Sequence, residues 1–168
     1  MHGGTLYRAP VLIDPGVRQH MEALTDLAPL HQPKSLAALG AVQAVLPDVP
    51  AVACFDTAFH ATIPDSAATF ALPAEWRERW TLRRYGFQGL SHAYASRRAA
   101  ELDSRPGLRI VSCHLGAGAS LAAVHSGRSV DTTIGIHAAR RPGHGHQVRI
   151  GRPRPDAVAP GARRNAGG

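Results

Sequence analysis

Residues 109–124, RIVSCHLGAGASLAAV, contain the arrangement that decides the fold: an apolar segment, a glycine-rich loop and a second apolar segment. The first segment, from Arg109 to Cys113, and the second, from Ser120 to Val124, have the length and composition of β-strands. Glycines between two strands let backbone N–H groups approach a phosphate without a Cβ in the way. Because Gly-x-Gly turns are also common in hairpins, the loop by itself indicates either a phosphate site or a structural turn.

Two short amphipathic helices are predicted in the first third of the chain. Asp14 and Pro15 signal the start of the first helix, because an N-cap oxygen precedes a proline whose φ angle suits a first helical position. Apolar residues at helical spacing extend this helix toward Ala28. Ser35 is predicted to cap the second helix, which ends before Pro47.

An aspartate follows the next apolar segment. Residues 52–55, VACF, are typical of a buried strand, which places Asp56 at the C-terminal end of that strand, where ligand chemistry often lies. Such an aspartate is either a helix N-cap or a catalytic carboxylate, and the local sequence leaves both interpretations open. Further along, Ser91 is predicted to cap a helix that runs to Leu102.

Composition predicts a soluble globular protein. Apolar residues make up 44% of the 168 residues, which is enough to form a core. The sequence contains neither a run of 18 apolar residues nor a signal-peptide pattern, so we expect a cytoplasmic location and no membrane partner. Two cysteines, Cys54 and Cys113, cannot form a disulfide framework, and we expect both to be reduced, buried thiols.

The net charge of +7 is concentrated near the C-terminus. Residues 1–136 hold 12 lysines and arginines against 11 acidic residues, whereas residues 137–168 hold seven arginines against one aspartate. Hydrophobic periodicity also ends there, which predicts a disordered tail. The tail has no aromatic residue for stacking and no recognisable binding module, so no nucleic-acid partner is expected. Its histidines, His137, His144 and His146, have no cysteine or carboxylate at ligand spacing, so no metal site is expected either.

Further motifs occur in a fixed order along the chain. The clearest is residues 55–60, FDTAFH, followed by Ile63-Pro64. The others are His2-Gly3-Gly4, Ala28-Pro29-Leu30-His31, Arg84-Tyr85-Gly86-Phe87, Ser91-His92, Cys113-His114-Leu115-Gly116 and Ser129-Val130-Asp131-Thr132-Thr133. Together they resemble the acetate and propionate kinase family over about residues 2–136, and several ordered motifs are more specific than one glycine loop.

The resemblance implies a fold class and a division of the chain. The class is α/β, a partial actin-like ATPase fold as in acetate and sugar kinases, in which two α/β domains enclose the active site. Residues 1–60 would form the C-terminal part of the first domain, and residues 61–136 would form the N-terminal part of the second domain with its phosphate loop. Residues 137–168 would be a basic tail. Family members are homodimers, although a dimer of this chain does not follow from that.

The resemblance also implies an activity and site residues. The family transfers the γ-phosphoryl group of ATP to acetate or another short carboxylate with Mg²⁺ present, giving acetyl phosphate and ADP. Asp56 matches the active-site aspartate, and Leu30 and Phe87 match apolar walls around the acetate methyl group. The first phosphate loop is matched by His114, Leu115, Gly116, Ala117 and Gly118. No protein ligand to the metal is matched.

Two positions depart from the family pattern. Gln88 stands where the family has a histidine that stabilises the transition state, and a neutral amide donates a hydrogen bond without supplying charge. Ala117 replaces an asparagine of the phosphate loop. Because other family segments for phosphate and adenosine binding are also unmatched, we expect this chain by itself to be inactive. The alternatives are a nonenzymatic remnant that binds nucleotide or a partner, and a propionate kinase.

The tail departs from the family altogether. Residues 137–149 do not resemble the family sequence, but reading their codons one base later recovers the expected Met-Gly-Thr-Arg-Ser-Gly if synonymous codons are chosen freely. We therefore hypothesise a frameshift just before His137, and we interpret Met1 as an internal GTG codon taken as a start. A chain without its neighbouring strands exposes faces that are normally covered, so we also expect aggregation or poor expression.

Overall fold

The structure, a computed structural model, describes residues 1–105 and 107–135. The expectations about the tail, including its disorder, its histidines and the shifted frame, lie outside the described residues. The helices are α1 (Pro15–Ala23), α2 (Gln32–Val45), α3 (Asp65–Ala68), α4 (Ala74–Arg79) and α5 (Gly89–Asp103), with short 3₁₀ helices at Thr25–Leu27 and Ala58–Thr62. The strands are β1 (Val11–Leu12), β2 (Val52–Ala53), β3 (Arg109–Leu115), β4 (Ala119–His125) and β5 (Arg128–Thr132).

The first two helices begin and end for local reasons. The Asp14 carboxylate accepts a hydrogen bond from the backbone N–H of Val17 at 2.7 Å, which confirms the predicted cap of α1. However, α1 ends at Ala23, and a separate 3₁₀ turn follows it. The predicted cap at Ser35 is wrong: α2 already begins at Gln32, because Pro33 suits the first helical turn. The end of α2 before Pro47 is confirmed.

A small apolar core lies between α1, α2 and β2. It consists of Met21, Leu36, Ala53 and Phe55, and the ring of Tyr7 stacks on Phe55 with centroids 4.6 Å apart. In the segment 52–55, alternate residues face this core, as expected for a strand with one covered face.

The prediction of a strand buried on both faces is therefore wrong for residues 52–55. Val52 is 56% exposed, and Cys54 is also exposed. The strand is short because β2 pairs only with β1, in an antiparallel ladder of two residue pairs. Cys54 faces away from the core, so its thiol is free, as expected, but not buried.

The deciding segment 109–124 forms two strands of a second sheet. This antiparallel sheet has the order β3-β4-β5. Leu115 pairs with Ala119, so β3 and β4 are joined by a three-residue loop and are longer than predicted. The predicted turn between β4 and β5 is confirmed at Ser126 and Gly127, whose φ angles of 51° and 76° match the twist of a tight hairpin.

Cys113 lies on the exposed face of this sheet. Side chains alternate along β3, so Ser112 is buried toward the helices while Val111 and Cys113 are exposed on the opposite face. The prediction of a buried thiol is therefore wrong for Cys113 as well. Within residues 1–105 and 107–135, no helix has the length and apolar character needed to cross a bilayer.

Candidate active site

Asp56 lies at the N-terminal end of α5. Its carboxylate oxygens accept hydrogen bonds from the backbone N–H groups of Gln88, at 2.6 Å, and Leu90, at 3.4 Å. The N–H of Gly89 donates to the Asp56 carbonyl oxygen at 2.9 Å. The first backbone N–H groups of a helix have no partner within the helix, and the helix dipole is positive at this end. Both effects favour a negative charge at the position of the Asp56 carboxylate. Asp56 thus caps α5 from a distant position in the chain, which is one of the two roles that its sequence context allowed.

Glycine is required at position 89 by the closeness of Asp56. A Cβ atom on Gly89 would lie 2.3 Å from the Asp56 carbonyl oxygen. The predicted cap at Ser91 is wrong, because α5 begins at Gly89, two residues earlier. Instead, the Ser91 hydroxyl is hydrogen-bonded to Nδ1 of His114 at 2.9 Å, which joins α5 to the end of β3.

Gln88 connects Asp56 to the glycine loop. Its backbone is left-handed, with φ 59°, and its side-chain Oε1 accepts a hydrogen bond from the Ser120 hydroxyl at the start of β4. Its side-chain Nε2 lies 3.0 Å from the position that a Cβ on Gly118 would occupy. The amide therefore packs directly against the loop backbone, which brings three predicted site features together: Asp56, Gln88 and the loop.

The glycine loop is exposed and tightly turned. The backbone N–H of Gly116 donates to the carbonyl oxygen of Gly118 at 3.0 Å, and Gly116, Ala117 and Gly118 are all exposed. A Cβ on Gly116 would lie 3.0 Å from Nε2 of His114. Leu115 was predicted to lie in the loop, but it is the last residue of β3. Its side chain is 82% exposed, on the same face of the sheet as Val111 and Cys113.

The two predicted wall residues differ in their relation to this site. Phe87 is 8% exposed, precedes Gln88 directly, and makes an edge-to-face contact with His2 at 5.4 Å. Leu30 lies in the turn before α2 and is 42% exposed. Nearby, Oε1 of Gln32 accepts a hydrogen bond from the backbone N–H of His2 at 2.9 Å, which joins the start of α2 to the residue that packs on Phe87.

Buried histidines tie the sheet to the helices. His60 is hydrogen-bonded to the Phe87 carbonyl oxygen at 3.1 Å and to the Ser129 hydroxyl at 2.8 Å. Because a carbonyl oxygen only accepts, Nε2 of His60 carries the proton and Nδ1 accepts from Ser129. His92 is bonded to the hydroxyls of Ser112 and Ser120 at 2.9 and 2.8 Å.

Burial keeps these imidazoles neutral. It is the largest cause that lowers the pKa of His60 from 6.5 to about 4, and it also lowers the pKa of His92. The serine partners of these two histidines were not predicted from the sequence. A signal was present, because serine or threonine occupies several inward positions of β3, β4 and β5, namely Ser112, Ser120, Ser129 and Thr132, where apolar residues are more usual.

The residues present fit a phosphate group better than a protein-bound metal. The loop offers exposed backbone at glycines whose Cβ positions are already closely approached by neighbours. Within the described part of the chain, no group of three or more His, Cys, Asp or Glu side chains is arranged to hold a metal ion. Asp56 is joined to the loop only through Gln88, and it contributes one carboxylate to this part of the structure.

Comparison with known proteins agrees with this fold. The model of the Acetokinase family matches residues 1–140. The chain therefore belongs to the Acetokinase family.

Similar proteins include acetate kinases of known sequence. The acetate kinase of Bacillus mycoides (strain KBAB4) is 54% identical over 138 residues, and that of Geobacillus kaustophilus (strain HTA426) is 51% identical. In both cases the match covers 81% of this chain and 35% of the relative. The chain thus spans about a third of the length of these relatives.

Solved structures show the same arrangement of helices and strands. A propionate kinase from Francisella tularensis matches with a TM-score of 0.77 and 38% identity, covering 80% of this chain and 35% of that one. Porphyromonas gingivalis acetate kinase matches with a TM-score of 0.75 and 40% identity over 80% of this chain and 34% of that one. The mixed helix and strand fold expected from the family resemblance is confirmed.

Proposed function

We propose that this chain forms part of an acetate kinase site, which transfers a phosphoryl group from ATP to acetate and yields acetyl phosphate and ADP. The observation that carries the proposal is the direct link from the Asp56 carboxylate, through Gln88, to the exposed glycine loop. A carboxylate and a phosphate-binding loop on one small surface are the parts that such a reaction requires, since it depends mainly on positioning and charge neutralisation.

Each residue has a distinct role in this proposal. ATP, with Mg²⁺, supplies the transferable phosphoryl group. The exposed backbone of the glycine loop would bind phosphate oxygens, and Asp56 would help to place phosphates that carry Mg²⁺. Phe87 and Leu30 would form apolar walls for the methyl group of the carboxylate substrate. Gln88 offers a neutral donor where charge would stabilise the transition state better, so it weakens catalysis.

The division of residues 1–60 and 61–136 between two domains is a prediction from the family resemblance, and the cytoplasmic location is a prediction from the sequence pattern. We expect the chain alone to form no acetyl phosphate, because it spans about a third of its relatives' length. The alternative is a nonenzymatic remnant, whose function would be to bind nucleotide or a partner.

A chimaeric enzyme tests the proposed activity. The matched segment of the Bacillus mycoides acetate kinase is replaced by the corresponding residues of this chain, and acetyl phosphate formation is measured. We expect activity that Asp56→Asn reduces by at least about a hundredfold, and that Gln88→His raises. A folded chimaera without activity, in which Gln88→His restores none, would contradict the proposal and favour the nucleotide-binding remnant.

The same chimaera separates acetate from propionate kinase activity. The structural similarity to a propionate kinase motivates this second candidate. One extra methylene in a small apolar pocket changes kcat/KM by roughly 10- to 200-fold. A higher kcat/KM for propionate than for acetate would identify the longer carboxylate as the substrate, whereas the opposite ratio would support acetate.

A further inference from the structure

A chain of hydrogen bonds runs from the interior of the sheet to the glycine loop. It begins at Ser112 in β3, passes through His92 in α5 and Ser120 in β4, and ends at the side chain of Gln88. His92 is fully buried, and Ser112 and Ser120 are 7% and 3% exposed. We refer to these four residues as the inner relay.

The direction of each hydrogen bond in the inner relay follows from the number of protons available. A serine hydroxyl has one hydrogen, and Ser120 donates it to Oε1 of Gln88. Ser120 must then accept from Nε2–H of His92. Since burial keeps the His92 ring neutral, its Nδ1 carries no proton and accepts from the Ser112 hydroxyl.

The orientation of the Gln88 amide and the tautomer of His92 therefore require each other. With Oε1 bonded to Ser120, the NH₂ group is the end beside Gly118. The opposite tautomer of His92 would make Ser120 donate to the ring, and Gln88 would have to turn its NH₂ group toward Ser120. The loop would then face a carbonyl oxygen, which repels phosphate oxygens.

We propose that His92 is a positioning residue, whose Nε2–H tautomer holds the Gln88 NH₂ group toward the glycine loop as a donor to a nucleotide phosphate. The inference rests on the proposed nucleotide site, and it adds that His92 orients the Gln88 NH₂ group within that site. His92 itself is buried behind Ser120 and acts through Gln88. A matched pair of serines allows a test, because Ser120 lies between His92 and Gln88 whereas Ser112 lies on the far side of His92.

The first measurement needs no ligand. The full 168-residue chain is labelled uniformly with ¹⁵N, and its histidine ring and glutamine NH₂ signals are recorded at low concentration near neutral pH, with His92→Gln and Gln88→Ala used to assign them. We expect His92 to be neutral with its proton on Nε2, and the NH₂ signals of Gln88 to move in Ser120→Ala but not in Ser112→Ala. A proton on Nδ1, or Gln88 signals unaffected by Ser120→Ala, would overturn the relay.

The second measurement titrates the same chains with MgATP and follows the amide signals of the glycine loop. We expect Ser120→Ala to weaken binding about tenfold and Ser112→Ala to stay within about twofold. Equal weakening by both variants would overturn the positioning role, since both would then act through stability. If the unaltered chain does not bind MgATP, the proposed nucleotide site fails, whereas the histidine signals still decide the relay.

Discussion

The inner and outer faces of the three-stranded sheet differ in which side chains they cover, because the inner face buries serines beside the apolar Ala122 and Val124. The inner face buries Ser112, Ser120 and Ser129, and each hydroxyl is bonded to a histidine ring nitrogen. The outer face presents Val111 and Leu115, which are 70% and 82% exposed. Polar groups are thus buried where each has a partner, while apolar groups lie uncovered on the other side.

The inner face of the sheet stabilises the fold, whereas the outer face can promote association between molecules. The inner face packs against α5 and the Ala58–Thr62 turn and so positions the candidate site. Substitutions on this face should therefore alter both the stability of the fold and ligand binding. The outer face contributes little to the described contacts, and its exposed apolar side chains are the physical basis of the expected aggregation.

The largest effect is expected where His60 packs on Gly86. A Cβ at position 86 would lie 2.5 Å from the imidazole ring, and the backbone φ of 73° already favours glycine. We expect Gly86→Ala to destabilise the fold by about 4 kcal/mol, measured by urea unfolding. Gly127, with a similar φ of 76° and no atom within 4 Å of its Cβ position, is the matched control, and Gly127→Ala should cost only about 1 kcal/mol. Equal losses would show that the packing against His60 is unimportant.

Acidification tests the inner face without a substitution. The pKa of His60 is about 4 in the folded chain and 6.5 for an ordinary imidazole. Between these values the unfolded state binds more protons, so the stabilisation is complete above pH 6.5 and is lost as the pH falls toward 4. The loss should reach roughly 3 kcal/mol in urea unfolding. His60→Gln should remove about this much of the pH dependence, and the part that remains should come from His2 and His92, whose pKa values burial also lowers. A pH dependence that His60→Gln leaves unchanged would contradict this assignment.

The smallest effect compares equal truncations on the two faces. Val124 is 2% exposed on the inner face, and Val111 is 70% exposed on the outer face. We expect Val124→Ala to cost roughly 2 kcal/mol and Val111→Ala less than about 0.5 kcal/mol, both from thermal unfolding. A comparable loss for Val111→Ala would mean that the outer face is covered in solution, for example by self-association, and the concentration dependence of Tm would then reveal it.

Several features could be predicted from the sequence because they depend on neighbouring residues. Asp14 caps α1 through a residue three positions away, Pro47 limits α2, and Ser126-Gly127 forms a hairpin turn. The ordered motifs also indicated the family that the comparisons show. Helix starts were predicted less well, since Ser35 and Ser91 were plausible caps but earlier residues already had helical geometry.

The contacts of the candidate site could be decided only by the tertiary structure. Asp56 meets Gln88 across 32 positions of sequence, and His92 meets Ser112 and Ser120 across 20 and 28 positions. Such contacts depend on strand register and on how α5 lies across the sheet, and neither is encoded in a local pattern. The sequence by itself therefore determined the local starts, stops and turns and the family, whereas the fold decided which polar groups meet and which face of each strand is covered.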